Sequence, residues 1–113
     1  MDLKFLGDFA RFDAAKLQKH NLFETDRFFL DVYCLLPGQA QKPHAHGESD
    51  KGYGVLEGRC RFTVGQQTRE EGEGAAVLCP AGVDHGVENP GPQNARLLVM
   101  MAPHPKPPSA AKS

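Results

Sequence analysis

The chain has 113 residues, with 13 Lys and Arg against 14 Asp and Glu and a formal net charge of −1. That length suits one domain of about 100 residues, and 40% hydrophobic with 24% charged residues excludes a disordered chain. A charge so near zero speaks against nucleic acid as a partner. No run nears the ~18 apolar residues of a membrane span, and Asp2, Lys4 and Asp8 interrupt any signal-peptide core. The expectation is a soluble, cytoplasmic domain.

Gly 12 and Pro 9 are many for this length and point to short strands joined by turns. Residues 1–26 read as a peripheral N-terminal arm. Within it, residues 12–19 carry Ala, Leu, Gln and Lys, which favour a helical turn. From Arg27 the period becomes two. Phe28, Leu30, Val32 and Cys34 share the face read as buried, with Arg27, Asp31 and Tyr33 opposite. Phe29 and Tyr33, outward in this register, would mark a dimer interface.

Pro37-Gly38 ends that strand. Residues 53–56 form a short apolar stretch closed by Glu57-Gly58. Cys60, Phe62 and Val64 then alternate with Arg59, Arg61 and Thr63, and Gly65-Gln66 turns the chain into a polar strand over 67–70. Residues 75–79 are apolar and stop at Pro80-Ala81-Gly82, and residues 95–101 form the last buried strand. Strands at this spacing without long helices indicate an all-β sandwich or barrel over residues 27–103. Residues 104–113 are a Pro-rich tail, read as flexible and extended or disordered. Phe28, Leu30, Phe62, Val64, Leu97 and Val99 are core candidates. The three cysteines, Cys34, Cys60 and Cys79, have no paired spacing and read as buried thiols.

Of five histidines, His20 and His104 fall in the arm and the tail and read as solvated. His44 and His46 are one residue apart, so on a strand both imidazoles project from one face. His85, arriving from a neighbouring strand, would complete a facial set of nitrogen donors. Such a set suits Fe, Mn, Ni, Co, Cu or Zn with positions left open for water or substrate. By spacing alone an H-x-H pair is weak evidence and also fits two polar residues on a solvated strand.

Residues 38–58, running from Gly38 through His44 and His46 to Tyr53-Gly54-Val55-Leu56-Glu57-Gly58, resemble the first motif of the cupin superfamily. Residues 74–89, with Gly74, Pro80, Gly82, His85 and Asn89, match its second motif at every defined position. The resemblance spans roughly residues 28–103 and is to small single-domain bacterial cupins of the Cupin_2 kind. It implies a double-stranded β-helix, or jelly-roll barrel. It also implies inward motif histidines on a divalent metal, and a homodimer.

The family's first motif has a glutamate ligand after the second histidine, and here the chain departs from it. Counting back from Gly58 puts Lys51 in that place; counting forward from His46 gives Asp50. Adjacent strand residues face opposite sides, and the Val55–Gly58 register favours Lys51 as inward, whereas a bulge at Ser49-Asp50 would select Asp50. Glu48 is a third candidate. Three site models follow. The metal is held by three histidines, with Lys51 swung aside or paired to a substrate carboxylate; or Asp50 adds a fourth ligand; or metal is lost and the pocket binds an anion. Lys51 also admits a reading as a surface lysine, and Tyr53 as a core or rim tyrosine.

Two functions compete. In the first, His44, His46 and His85 hold a metal, Lys51 stabilises negative charge, and Tyr53 orients a small-molecule substrate or moves a proton, as in a dioxygenase or isomerase. In the second, the barrel is a non-catalytic binder of a small ligand, a sensor or storage protein.

Overall fold

Turn residues divide the chain into short strands that leave two sheets facing each other. In the computed structural model, which describes residues 1–45 and 47–111, the strands are β1 (Gln18–Glu24), β2 (Phe29–Leu35), β3 (Ala40–His44), β4 (Asp50–Glu57), β5 (Arg59–Val64), β6 (Gln67–Gly72), β7 (Ala76–Cys79), β8 (His85–Glu88) and β9 (Ala95–Ala102). One sheet has the order β1-β2-β9-β4-β7 and the other β3-β8-β5-β6, and every paired strand is antiparallel. This is the expected jelly-roll barrel. Among the described residues, no helix is long and apolar enough to cross a membrane.

The strands after Gly38 follow the alternation in the sequence. Lys51, Tyr53 and Val55 of β4, Cys60 and Phe62 of β5, and Leu97, Val99 and Met101 of β9 are all buried. Of the other core candidates, Val64 packs at the edge of this interior, and Phe28 is half-buried.

The face assigned to β2 is reversed. Tyr33 and Leu35 join the barrel interior, whereas Val32 and Cys34, with Leu30 beside them, lie on the outer side of the sheet. The outer side is itself covered, because Leu22, Phe9 and Phe12 pack on it. Both faces of β2 are therefore apolar, and period two cannot tell inside from outside. Tyr33 is 2% exposed, so it cannot mark a dimer interface. Phe29 is half-buried and stands edge-on to His104.

The first residues form no helical turn at 12–19. Instead the Asp13 carboxylate accepts the Ala15 N–H at 2.7 Å, closing a turn that delivers the chain to β1. Arg96 of β9 clamps the segment before it, donating to the carbonyls of Leu6 at 2.9 Å and Phe9 at 3.3 Å and to Glu57 at 2.8 Å. The proline-rich end folds back. His104 pairs with Glu24 at 2.7 Å and is 7% exposed, not solvated, and Ser109 bonds Asp26 at the start of a helical turn, α1 (Pro108–Ala111). His20 is half-buried and bonds the Arg11 carbonyl at 2.9 Å.

Two motif residues hold the barrel ends. Gly58 has φ +77°, and a Cβ there would stand 2.4 Å from the Asn94 carbonyl oxygen, so only glycine fits. Buried Asn89 donates to the carbonyls of Leu35 at 2.9 Å and Gln93 at 2.7 Å and accepts the Gly91 N–H at 2.8 Å. It serves the next turn and also ties that turn to the end of β2.

Candidate functional site

The site begins with an irregularity in β3. Gln41 pairs with Val87 and His44 with His85, so three steps on β3 oppose two on β8. This bulge brings Gln41 and His44 to one face, which a regular strand would deny to residues three apart. Pro43 lies inside it, where the missing N–H does no harm. Gly86 makes room opposite, since a Cβ there would stand 2.8 Å from both the Gln41 oxygen and the Pro43 nitrogen.

His44 and His85 are thus direct cross-strand partners, with ring centroids 4.8 Å apart. In each ring Nδ1 meets the carbonyl two residues earlier, Lys42 at 2.9 Å and Val83 at 3.2 Å. A carbonyl can only accept, so Nδ1 carries a proton in each ring, which leaves Nε2 as the nitrogen able to bind a metal when the ring is neutral. Burial lowers the pKa of His85 below the ordinary imidazole value, with smaller contributions from Lys51 and His44. The neutral, ligand-competent form is the favoured one.

Beside the histidines lies a cation in an apolar wall. Lys51 is 1% exposed, and its Nζ sits 5.3 Å from the Tyr33 ring centroid and 5.2 Å from that of Tyr53. It donates to Gln41 Oε1 at 3.0 Å, and the Tyr53 hydroxyl reaches the same oxygen at 3.4 Å. Burial, then Lys19, lowers the Lys51 pKa from 10.5 to about 8. Burial also raises both tyrosines well above the ordinary phenol range, so they stay neutral donors. Tyr53 bridges the two groups, with its ring 6.5 Å from His85 and 5.4 Å from Phe62.

The other candidates lie apart. Asp50 is exposed, and its Oδ1 accepts the Ala81 N–H at 2.9 Å, away from the interior face of β4. Glu48 is exposed. His46 lies outside the described residues. Among the described residues no group of three His, Cys, Asp or Glu side chains is arranged to hold a metal ion. Two site residues escaped the sequence reading. Tyr33 was assigned to the wrong face, and Gln41 faces inward only through the bulge, which Pro43 and Gly86 could have signalled.

The donor set can be judged by its chemistry. Two imidazoles on adjacent strands, each oriented by a carbonyl, suit a borderline transition ion. A third nitrogen would have to come from His46. Lys51 supplies no negative charge, so these residues fit a neutral nitrogen site better than the carboxylate-containing set of the motif.

Comparison with known proteins agrees with this architecture. The family model described as Cupin domain matches residues 31–101. A crystal structure of the protein TT1209 from Thermus thermophilus is 43% identical and superposes with a TM-score of 0.89, covering 92% of this chain and 99% of that one. An RmlC-like cupin protein from Desulfovibrio desulfuricans is 26% identical, with a TM-score of 0.81 over 92% of this chain and 98% of its own. An uncharacterised protein of Streptomyces coelicolor is 39% identical over 74 residues, 64% of this chain and 67% of its own.

Proposed function

The chain belongs to the Cupin domain family, and from that premise we propose that its barrel holds a divalent transition metal through His44, His46 and His85 and acts on a small molecule. The observation that carries the reading is the cross-strand pair of His44 and His85, rings 4.8 Å apart, each with Nδ1 on a backbone carbonyl. The ion would supply Lewis acidity and, if redox-active, electron transfer to or from substrate.

The protein's own groups then have distinct tasks. Lys51 stabilises negative charge that grows on the substrate, in a setting where burial strengthens its field. The Tyr53 hydroxyl orients the substrate or carries a proton. Gln41 holds both groups in place until substrate arrives. The reaction class is oxygen-dependent cleavage or isomerisation, and the working form is a homodimer, for which exposed Leu78 and Met100 on the outer sheet offer apolar surface.

The test is elemental analysis of freshly purified, untagged protein with and without His85→Ala. One transition ion per chain is expected in the wild type, with binding weakened about 100-fold or more in the variant. A variant that retains the ion as tightly would overturn the assignment. If metal is present but neither oxygen uptake nor isomerisation occurs with diketones, thiols or catechols, the barrel is a binding module, a sensor or store.

A further inference from the structure

Strands β1 and β3 are the free edges of the two sheets on one side of the barrel. A cleft of about 550 Å³ opens there, lined by Lys16, Leu17, Gln18, Lys19, Ala40 and Gln41. Gln41 is shared wall, because its Oε1 also accepts the hydrogen bond from buried Lys51 at 3.0 Å. Lys19 is the cross-strand partner of Tyr33, and its Nζ lies 5.3 Å from the Tyr33 ring centroid. The Nζ of Lys51 lies 5.3 Å from the same centroid. Two cations thus meet one ring, Lys19 on the wall of the cleft and Lys51 buried behind Gln41.

Among the described residues, no carboxylate comes within ion-pair distance of either lysine. Asp31 is the acid that acts on both, at longer range, with its Oδ1 held by Asn21 at 2.9 Å. Lys16 adds a further exposed cation to the wall of the cleft, so positive charge outweighs this one carboxylate beside the buried donor. A buried ammonium bonded only to a neutral amide is costly, and an entering monoanion would replace that amide with a charge-assisted bond. Leu17 offers apolar surface for a carbon skeleton, and the two tyrosine rings flank the buried ammonium behind Gln41.

We propose that this cleft admits a small organic carboxylate, steered by Lys19 and anchored by Lys51. The inference rests on the barrel interior being the ligand pocket but not on a metal being there.

The two tyrosines and absence of tryptophan make intrinsic tyrosine emission a local probe, since both rings flank Lys51. Metal-stripped protein would be titrated with isobutyrate, pyruvate, isobutyramide and inorganic phosphate. A saturable change with the two carboxylates is expected, about tenfold tighter than with the amide. Lys19→Gln should weaken carboxylate binding about threefold, and Lys51→Met should abolish it. Equal binding of acid and amide, a preference for phosphate, or a Lys19→Gln variant that binds like wild type would each overturn the proposal. Metal content of the same preparations keeps the two readings separate. A protein that binds carboxylate in this manner yet never takes up metal would fail only the metal assignment.

Discussion

Strand β2 separates two buried regions of opposite chemistry. On its outer side Val32 and Cys34 meet Leu22, Phe9 and Phe12, a mainly apolar contact beneath the N-terminal segment. On its inner side Tyr33 faces the end of the barrel where Lys51, Gln41, Tyr53, His44 and His85 gather. Burial outside yields about 25 cal/mol per Å² of apolar surface. Burial inside works against stability, because an ammonium has exchanged water for one amide oxygen and two aromatic rings. The outer contact holds the fold together, whereas the inner cluster persists despite its cost.

That contrast breaks first at the outer contact. Leu22→Ala should lower stability by about 3 kcal/mol in urea unfolding while leaving metal content and tyrosine emission as in the wild type. Lys51→Met should act in the opposite sense. A pKa moved from 10.5 to about 8 corresponds to about 3 kcal/mol against the charged form, and losing the bond to Gln41 takes back about 1 kcal/mol. The metal-free variant should therefore be about 2 kcal/mol more stable than wild type at pH 7, and on the proposal above it should no longer bind carboxylate.

The pH dependence of that gain follows from the same shift. Between pH 8 and 10.5 the unfolded chain binds a proton on Lys51 that the folded chain does not, so wild-type stability from this group rises with pH. The advantage of Lys51→Met should be constant below about pH 8 and close by pH 10.5. A gain that persists unchanged at pH 10.5 would mean the ammonium was not its source. Comparing the two proteins at each pH cancels Cys60, whose thiol is pushed up to about 12 by burial and which changes stability in the other direction.

The barrel was legible in the sequence because its turns carry their own chemistry. Gly58 and Asn89 mark strand ends that only those residues serve. The face of Lys51 could be counted back from Val55, since β4 is regular from Asp50 to Val55 in its pairing with β9 and the register shift lies beyond, between Val55 and Glu57. The face of β2 could not, because apolar packing on both sides removes the alternation that register reading needs. Gln41 was hidden for a related reason. A bulge shifts side chains between faces without altering hydrophobicity, and its traces, Pro43 and Gly86, become readable only once β3 and β8 are known to be neighbours. Lys51 became a site candidate only through its place in the family motif, since a buried lysine has no sequence pattern of its own.

The smallest expected effect tests whether the two regions are energetically separate. Arg96 holds the N-terminal segment over the outer contact through the Leu6 and Phe9 carbonyls, and the Cys34 thiol donates to the same Phe9 carbonyl at 3.4 Å. Arg96→Ala should cost about 1 kcal/mol, mostly by releasing that segment. Alkylation with iodoacetamide separates local from global opening, because Cys34 lies under the segment while Cys60 and Cys79 lie in the barrel interior. Burial raises the pKa of Cys34, so uncovering it should both expose the thiol and restore its thiolate fraction. Faster labelling of Cys34 alone would show the segment lifting while the polar end stays closed. Equal acceleration at all three cysteines would mean that the outer contact and the barrel interior open as one unit, and that the site depends on its apolar cover for more than shape.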